Sequence, residues 1–266
     1  MFKDITIGQY IPGESFVHRL DPRTKIIGTM TFIVALFIVT GYIGYATMTL
    51  YSLFLILISR LPVKYVLRGL KPLYYILIFT VILNFLLTPG EVIWSWWFLN
   101  ITAEGLRQGI FMGWRLLLLV LTTSLLTLTS SPIALTDGIE RLLNPFRSLG
   151  VPAHELAMMM TIALRFIPTL LEETDKIMKA QMARGADFDT GNIIKRAKGM
   201  IPLLVPLFIS AFRRADELAI AMEARCYRGG EGRTRLKQLK MVHRDYFTLV
   251  FMVFLICFAF WERLFL

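Results

Sequence analysis

The residues of this sequence best suited to specific recognition are two arginines, Arg184 and Arg225. A guanidinium group stays charged at physiological pH, and its fork of N–H groups can bind a carboxylate through two bonds. Two alanines precede each arginine, and side chains three residues apart share a helix face, so they leave a bare patch that another chain can approach closely. The chemistry predicted here is charge-assisted docking. The alanines are Ala180 and Ala183 in the first case and Ala221 and Ala224 in the second.

The two arginines close two copies of a weak internal repeat. The first copy starts at Pro152 and the second at Pro202, and a helix tolerates proline in its first turn because the N–H there has no intrahelical partner. Each copy then carries an apolar segment broken by an inner proline and ends in a charged, amphipathic segment. The repeat predicts two helical tips of similar form. The inner prolines are Pro168 and Pro206, and alignment on the arginines also superposes Asp175 on Asp216.

A simpler role for each arginine is to cap its helix. Glycine commonly follows the last helical turn, as Gly185 follows Arg184, and a basic residue there offsets the helix dipole. Capping alone would not require the same alanine spacing in both copies. The repeated pattern therefore favours two tips that fit two similar sockets.

At these tips the chain resembles a known family. Ala183-Arg184-Gly185 and Ala224-Arg225-Cys226, with the run EARCYRGGEGRTR, are similar to the two Ala-Arg-Gly motifs of the transmembrane (T) component of energy-coupling-factor vitamin transporters. The resemblance covers most of the chain, although Cys226 stands where the family has glycine. It implies that the motifs dock into two ABC-type ATPase subunits, which bind the ATP. It also implies that the neighbouring long helices hold one interchangeable substrate-binding membrane subunit.

Methionines are concentrated in and around the repeat. Methionine usually fills a core, but a methionine-rich surface can also adapt to several partners, and the resemblance favours this second role. The contacts predicted for the substrate-binding subunit are Met158, Met159, Leu164, Leu203 and Leu207. The methionines of the region are Met158, Met159, Met160, Met178, Met182, Met200 and Met222.

Sequence motifs for catalysis are weak. The run Gly229-Gly230-Glu231-Gly232 lacks the lysine of a phosphate-binding loop, so we expect no ATP site and no cofactor in this chain. His18, His154 and His243 are far apart in sequence, which does not match zinc-ligand spacing. Glu172 and Glu173 point about 100° apart on a helix and are better explained as a solvated face. We therefore expect a non-catalytic subunit.

The composition is that of a membrane protein. Of 266 residues, 56% are hydrophobic, and the formal net charge is +10. The basic residues lie in loops between apolar segments and no nucleic-acid motif accompanies them, so we expect the lipid bilayer and not nucleic acid as a partner. Cys226 and Cys257 lie in different surroundings, which makes a disulfide unexpected. The first twenty residues contain no apolar core of a cleavable signal peptide.

The apolar segments predict an all-α integral membrane protein with about five transmembrane helices and a cytoplasmic coupling domain of long amphipathic helices. We expect residues 1–131 to hold four spans, 132–245 to form the coupling domain, and 246–266 to form the last span. Neither apolar half of the repeat is expected to be long enough to span, so both should lie along the inner membrane surface. The predicted spans are residues 26–40, 46–59, 72–87, 106–129 and 246–261.

Charge predicts the orientation in the cell membrane. The loop from Arg60 to Lys71 is basic and contains no acid, which places it inside. Acidic residues but no lysine lie near the tryptophans Trp94, Trp96 and Trp97, a pattern typical of the outer headgroup level. These signals place the repeat and the N-terminus in the cytoplasm and the C-terminus outside.

Two other functions remain open on sequence grounds. A self-contained multi-helix permease would need a polar site near the membrane midplane, for which Asn84 is the clearest candidate. An intramembrane enzyme would need polar catalytic residues that the spans do not contain. The function expected from the repeat and the resemblance is mechanical coupling between the ATPases and the substrate-binding subunit.

Overall fold

The computed structural model describes residues 10–96, 99–186, 188, 199–230 and 239–265, and it confirms an all-α membrane protein with one small β-hairpin. The chain divides into two compact units. The bundle unit comprises residues 8–138 and 238–266, and the insert unit comprises residues 139–237. The insert unit lies within the predicted coupling domain, residues 132–245, whose exact bounds stay a prediction.

A helix forms at each of the predicted spans. In the bundle unit these are α1 (Pro22–Ile38), α2 (Tyr42–Ser59), α3 (Val63–Leu70), α4 (Tyr74–Leu87), α5 (Ala103–Thr129) and α9 (His243–Phe265). The helix α6 (Pro132–Leu143) begins in the bundle unit and ends in the insert unit, where α7 (Ala153–Ala183) and α8 (Ile201–Ala224) follow. Short 3₁₀ turns cover Lys71–Leu73 and Asn144–Leu149.

The helices long and apolar enough to cross a membrane are α2, α5, α7 and α9 in the described part of the chain. The inclusion of α7 contradicts the expectation that neither half of the repeat could span. The sequence prediction of length was wrong here because it took the inner proline and the charged residues as interruptions of the apolar half, whereas α7 runs through Pro168 as one helix of 31 residues. The helix α8 continues through Pro206 in the same way. Only 6% of the apolar window of α7 is buried in the chain, so lipid or a partner must cover the rest.

The core of the bundle unit lies where α1, α2 and α9 meet. Phe32, Leu36, Met48 and Ala259 belong to one cluster and are almost fully buried. Two buried carboxylates fix the ends of α9 against α1 and α2. The Asp245 carboxylate accepts a bond from the backbone N–H of Asp21 at 2.8 Å. At the other end, Glu262 accepts one from the N–H of Gly44 at 2.7 Å.

Helix α4 packs against α5 through glycines of α5. An added Cβ at Gly105 would lie 2.9 Å from the carbonyl oxygen of Asn84, and one at Gly109 would meet the ring of Phe85. Small residues let membrane helices approach closely, where van der Waals contact stabilises the pair. Any larger side chain at Gly109 must therefore displace the ring of Phe85 or push the two helices apart.

The β-hairpin between α4 and α5 is a difference from the predicted all-helical chain. Strands β1 (Val92–Trp96) and β2 (Leu99–Thr102) pair in antiparallel register. Aromatic and β-branched residues favour such short strands, a preference that the sequence analysis did not apply to this segment. Thr102 is the last residue of the hairpin. Its hydroxyl accepts a hydrogen bond from the N–H of Gly105 at 3.0 Å and so caps the start of α5.

Candidate functional site

The two long helices of the insert unit lie antiparallel. Glu173, midway along α7, accepts bonds from the Ser210 hydroxyl and the Arg214 guanidinium of α8, both at 2.6 Å. Further along α7, the Gln181 amide donates to the carbonyl oxygen of Pro202 at 3.5 Å. Residues nearer the end of α7 thus contact residues nearer the start of α8. The end of each helix therefore lies near the beginning of the other.

Helix α7 ends in the first tip, which we define as Ala183, Arg184 and Gly185. Arg184 is the C-cap, and Gly185 takes a left-handed conformation with φ of +86°. The N–H of Gly185 donates to the Met182 carbonyl and that of Ala186 to the Gln181 carbonyl, both at 3.0 Å. This pair of bonds is a Schellman motif, which satisfies the last carbonyls of the helix.

Helix α8 ends in the second tip, Ala224, Arg225 and Cys226, with the same backbone geometry. The N–H of Cys226 donates to the Glu223 carbonyl at 2.8 Å, and that of Tyr227 donates to the Met222 carbonyl at 3.0 Å. Cys226 itself has a φ of 55° and replaces glycine in the left-handed position. The repeat thus extends to hydrogen bonding, even where the residue type differs.

Both tips are open to solvent at opposite ends of the helix pair. Arg184, Arg225 and the alanines beside them are exposed. The second tip shares a groove of about 510 Å³ with Met158, near the start of α7. From Met158 to Arg184 the helix rises about 1.5 Å per residue, so the tips lie about 40 Å apart. One socket of side-chain size cannot hold both.

The second tip has an anchor that the sequence analysis missed. The hydroxyl of Tyr227 lies 3.1 Å from Nε2 of His154 and donates to Sδ of Met158 at 3.1 Å. Nδ1 of His154 lies 3.0 Å from a carboxylate oxygen of Glu140, in α6. These contacts join residues up to 73 positions apart, so no local spacing marks them. From its spacing alone, His154 was expected to be an isolated histidine.

The residues predicted to contact a substrate-binding subunit have different environments. Met159 is 55% exposed, Leu164 and Leu207 are half-buried, and Leu203 is only 4% exposed. Leu203 therefore packs inside the chain, and Met158 contacts Tyr227. Other apolar side chains of α8, which were not predicted as contacts, form an exposed face of this helix. It consists of Ile201, Leu204, Val205, Phe208, Ile209 and Phe212.

Another sequence prediction concerns Asn84, the candidate polar residue of a membrane midplane site. The amide of Asn84 donates to the Thr80 carbonyl of its own helix at 2.8 Å, a bond typical of a polar side chain satisfied within α4. The permease alternative therefore gains no support from its best candidate residue.

The basic segments 190–198 and 231–238 lie outside the described residues.

Comparison with known proteins shows the family of this chain. A family model described as cobalt transport protein, CbiQ, matches residues 13–236. The chain is 63% identical to the energy-coupling factor transporter transmembrane protein EcfT of Thermosediminibacter oceani over 243 residues, which are 91% of this chain and 92% of the relative. It is 49% identical to the EcfT protein of Bacillus subtilis over 264 residues, covering 99% of this chain and 100% of the relative. A transmembrane chain with these relatives and two matching arginine tips belongs to the family of energy-coupling factor transporter transmembrane proteins.

Proposed function

We propose that this transmembrane component passes the movement of two ABC-type ATPase subunits to one interchangeable substrate-binding membrane subunit. Arg184 and Arg225 dock into the two ATPases, one tip in each. The chain itself binds no ATP and catalyses no reaction. Its N-terminus and the insert unit are cytoplasmic, and its C-terminus is outside.

The observation that carries this proposal is the pair of exposed, equally capped arginines at opposite ends of α7 and α8. The hydrogen-bond pattern shared by the two helix ends supports two similar sockets. The separation of about 40 Å along α7 supports two different subunits rather than two sites on one small surface. When two ATPases close on ATP, both ends of one rigid helix pair would be displaced together. Such displacement would do mechanical work on the substrate-binding subunit that contacts α7 and α8.

The open apolar face of α8 supports contact with a membrane subunit. Phe208 and Phe212 are 62% and 69% exposed, which is unfavourable in water for a large apolar side chain. Met159 of α7 is also exposed, and a flexible thioether adapts to partners of different shape. This face therefore suits an interchangeable apolar partner.

The test reverses the charge of the arginine in each tip. Arg184→Glu and Arg225→Glu should each weaken attachment of the ATPase subunits at least about tenfold, because a carboxylate facing an acidic socket costs more than about 1.4 kcal/mol. The double variant should lose the ATPases entirely, since one seated tip raises the effective concentration of the other. Pull-down of the ATPase subunits and substrate uptake into vesicles measure these effects.

Arg213→Glu is the matched control, because it makes the same charge change on the exposed surface of α8 away from both tips. This variant should keep attachment and uptake, and thermal unfolding in detergent should be unchanged in all variants. Wild-type attachment by the double variant would refute docking through the arginines. Unfolding of the single variants would return both arginines to a capping role.

A further inference from the structure

We propose that Tyr227 and His154 are positioning residues that fasten the second tip to the start of α7 and to α6, so that this tip transmits movement while the first tip mainly holds its ATPase. The fastening is inferred from the structure of this chain alone. Its role in transmission rests on the proposed function. We call the contacts among Tyr227, His154, Glu140 and Met158 the latch.

The latch is built from three segments that are distant in sequence. Tyr227 follows the second tip directly, His154 lies in the first turn of α7, and Glu140 lies in α6. His154 is the central member, because one ring nitrogen faces the Tyr227 hydroxyl at 3.1 Å and the other faces Glu140 at 3.0 Å. A ring held on both nitrogens cannot rotate without losing a contact.

The surroundings of the latch also hold the chain that leaves the second tip. Glu140 is 9% exposed and Tyr227 is half-buried. An added Cβ at Gly230 would lie 2.5 Å from the ring of His154, so the chain after the tip passes directly over this ring. The segment from Tyr227 to Gly230 is thus packed onto the start of α7.

The first tip lacks the side chain needed for such a latch. Ala186 has the position after the cap that Tyr227 has in the second tip, and a methyl group forms no hydrogen bond. An added Cβ at Gly185 would meet nothing within 4 Å. The two tips therefore share a backbone motif but differ in how their ends are fastened.

This difference gives the second tip a direct connection to the membrane helices through the chain. Glu140 belongs to α6, and only Ser130 and Ser131 separate α6 from the end of α5. A displacement of Arg225 moves Tyr227, then His154, and then Glu140 in α6, the helix that follows α5 along the chain. The first tip has no comparable contact among residues 184–186 and 188, the part of its end that the structure describes.

The fastening can be tested on the purified full-length chain, without any partner. With Cys257→Ser, Cys226 is the only thiol, it is exposed, and a nitroxide on it reports the mobility of the second tip. Tyr227→Phe and His154→Ala should raise the mobile fraction of this label about fivefold, the factor expected when one hydrogen bond of ordinary strength is lost. Tyr246→Phe, an exposed tyrosine in α9, is the matched control and should have no effect.

A label on the first tip tests the asymmetry. Ala183→Cys with both native cysteines replaced by serine should give the same spectrum with and without Tyr227→Phe. If the Cys226 label is unchanged in both latch variants, or if the Ala183→Cys label changes as much, the latch is wrong, whatever the ATPases do.

The role in transmission is tested in the complex reconstituted in vesicles with its ATPase and substrate-binding subunits. Tyr227→Phe should keep ATPase attachment and ATP hydrolysis within about twofold but reduce substrate taken up per ATP about fivefold. A purely structural defect would lower attachment and thermal stability together. An unchanged ratio of uptake to hydrolysis would overturn the transmission role. Failure of the wild-type chain to bind ATPases would instead refute the proposed function and leave the fastening intact.

Discussion

At the scale of single residues, the two tips have the same left-handed backbone conformation at the helix end but different residues in it. Gly185 and Cys226 both lie in the left-handed region that ends a helix, with φ of +86° and 55°. Glycine adopts this conformation freely, whereas a residue with a Cβ is strained by about 1–2 kcal/mol. The second tip carries this strain next to Arg225, where the latch holds the following residue in position.

This comparison predicts opposite effects for exchanges at the two tips. Gly185→Ala should destabilise the end of α7 by about 1 kcal/mol, while Cys226→Gly should stabilise the end of α8 by a similar amount. Hydrogen exchange of the amides that close the two Schellman motifs measures both. Faster exchange is expected near Gly185→Ala and slower exchange near Cys226→Gly.

Gly150 offers a matched control for these exchanges. Its φ of +87° equals that of Gly185 within a degree, and an added Cβ there also meets nothing within 4 Å. Gly150→Ala should therefore cause the same local strain without loss of ATPase attachment, whereas Gly185→Ala should weaken attachment. Equal attachment in the two variants would mean that the backbone of the first tip is not part of the docking surface.

At the scale of helices, charge and size determine which faces come together. The Glu173 carboxylate with Ser210 and Arg214 fixes α7 against α8 where both side chains of the ion pair are partly buried. Inner prolines do not end these helices, since bonds on either side continue the helical path. The result is a pair of long antiparallel helices, joined by polar contacts, with exposed apolar surface on α8.

The packing of α4 on α5 gives a prediction at this scale. Gly109→Leu should destabilise the bundle unit by about 1–3 kcal/mol, because a larger side chain must displace the ring of Phe85 or separate the helices. Thermal unfolding of the detergent-solubilised chain measures this loss. Ile110→Phe adds bulk one residue away on an exposed face and should leave the unfolding temperature unchanged. Equal unfolding temperatures for both variants would contradict close packing at Gly109.

At the scale of the whole molecule, orientation in the membrane decides which partners each unit can reach. The arginine tips can meet cytoplasmic ATPases only if the insert unit lies inside. The basic loop between Arg60 and Lys71 and the tryptophans near the hairpin both predict this orientation from charge and interfacial preference. This orientation is a prediction from the sequence.

Cysteine accessibility in intact cells tests the orientation. In a chain with Cys226 and Cys257 replaced by serine, Ser95→Cys should react with a membrane-impermeant thiol reagent from outside. Lys195→Cys should react only after the membrane is opened, because the basic insert is retained in the cytoplasm. Total labelling in permeabilised cells controls for reactivity. The reverse pattern would refute the positive-inside argument and the cytoplasmic insert unit together.

Local patterns in the sequence determined much of this protein. The apolar segments gave helices at all predicted spans, and the two alanine-arginine patterns gave two tips with matching caps. These features depend on residues within about five positions of one another, where backbone geometry fixes the contacts. The extent of α7 was missed because surrounding structure can override the tendency of proline to end a helix. The hairpin was missed because the strand preference of its aromatic and β-branched residues was not applied.

Only the tertiary structure determined how the tips are arranged and fastened. The antiparallel pairing rests on Glu173 and Ser210, 37 positions apart, and the latch rests on His154 and Tyr227, 73 positions apart. Leu203 shows the same limit, since an apolar residue in an apolar repeat is buried here while its neighbour Leu204 is exposed. A sequence pattern specifies which residues share a helix face. Which partner that face meets depends on the packing of the whole chain, because the free energy of burial is decided by contacts between segments and not within them.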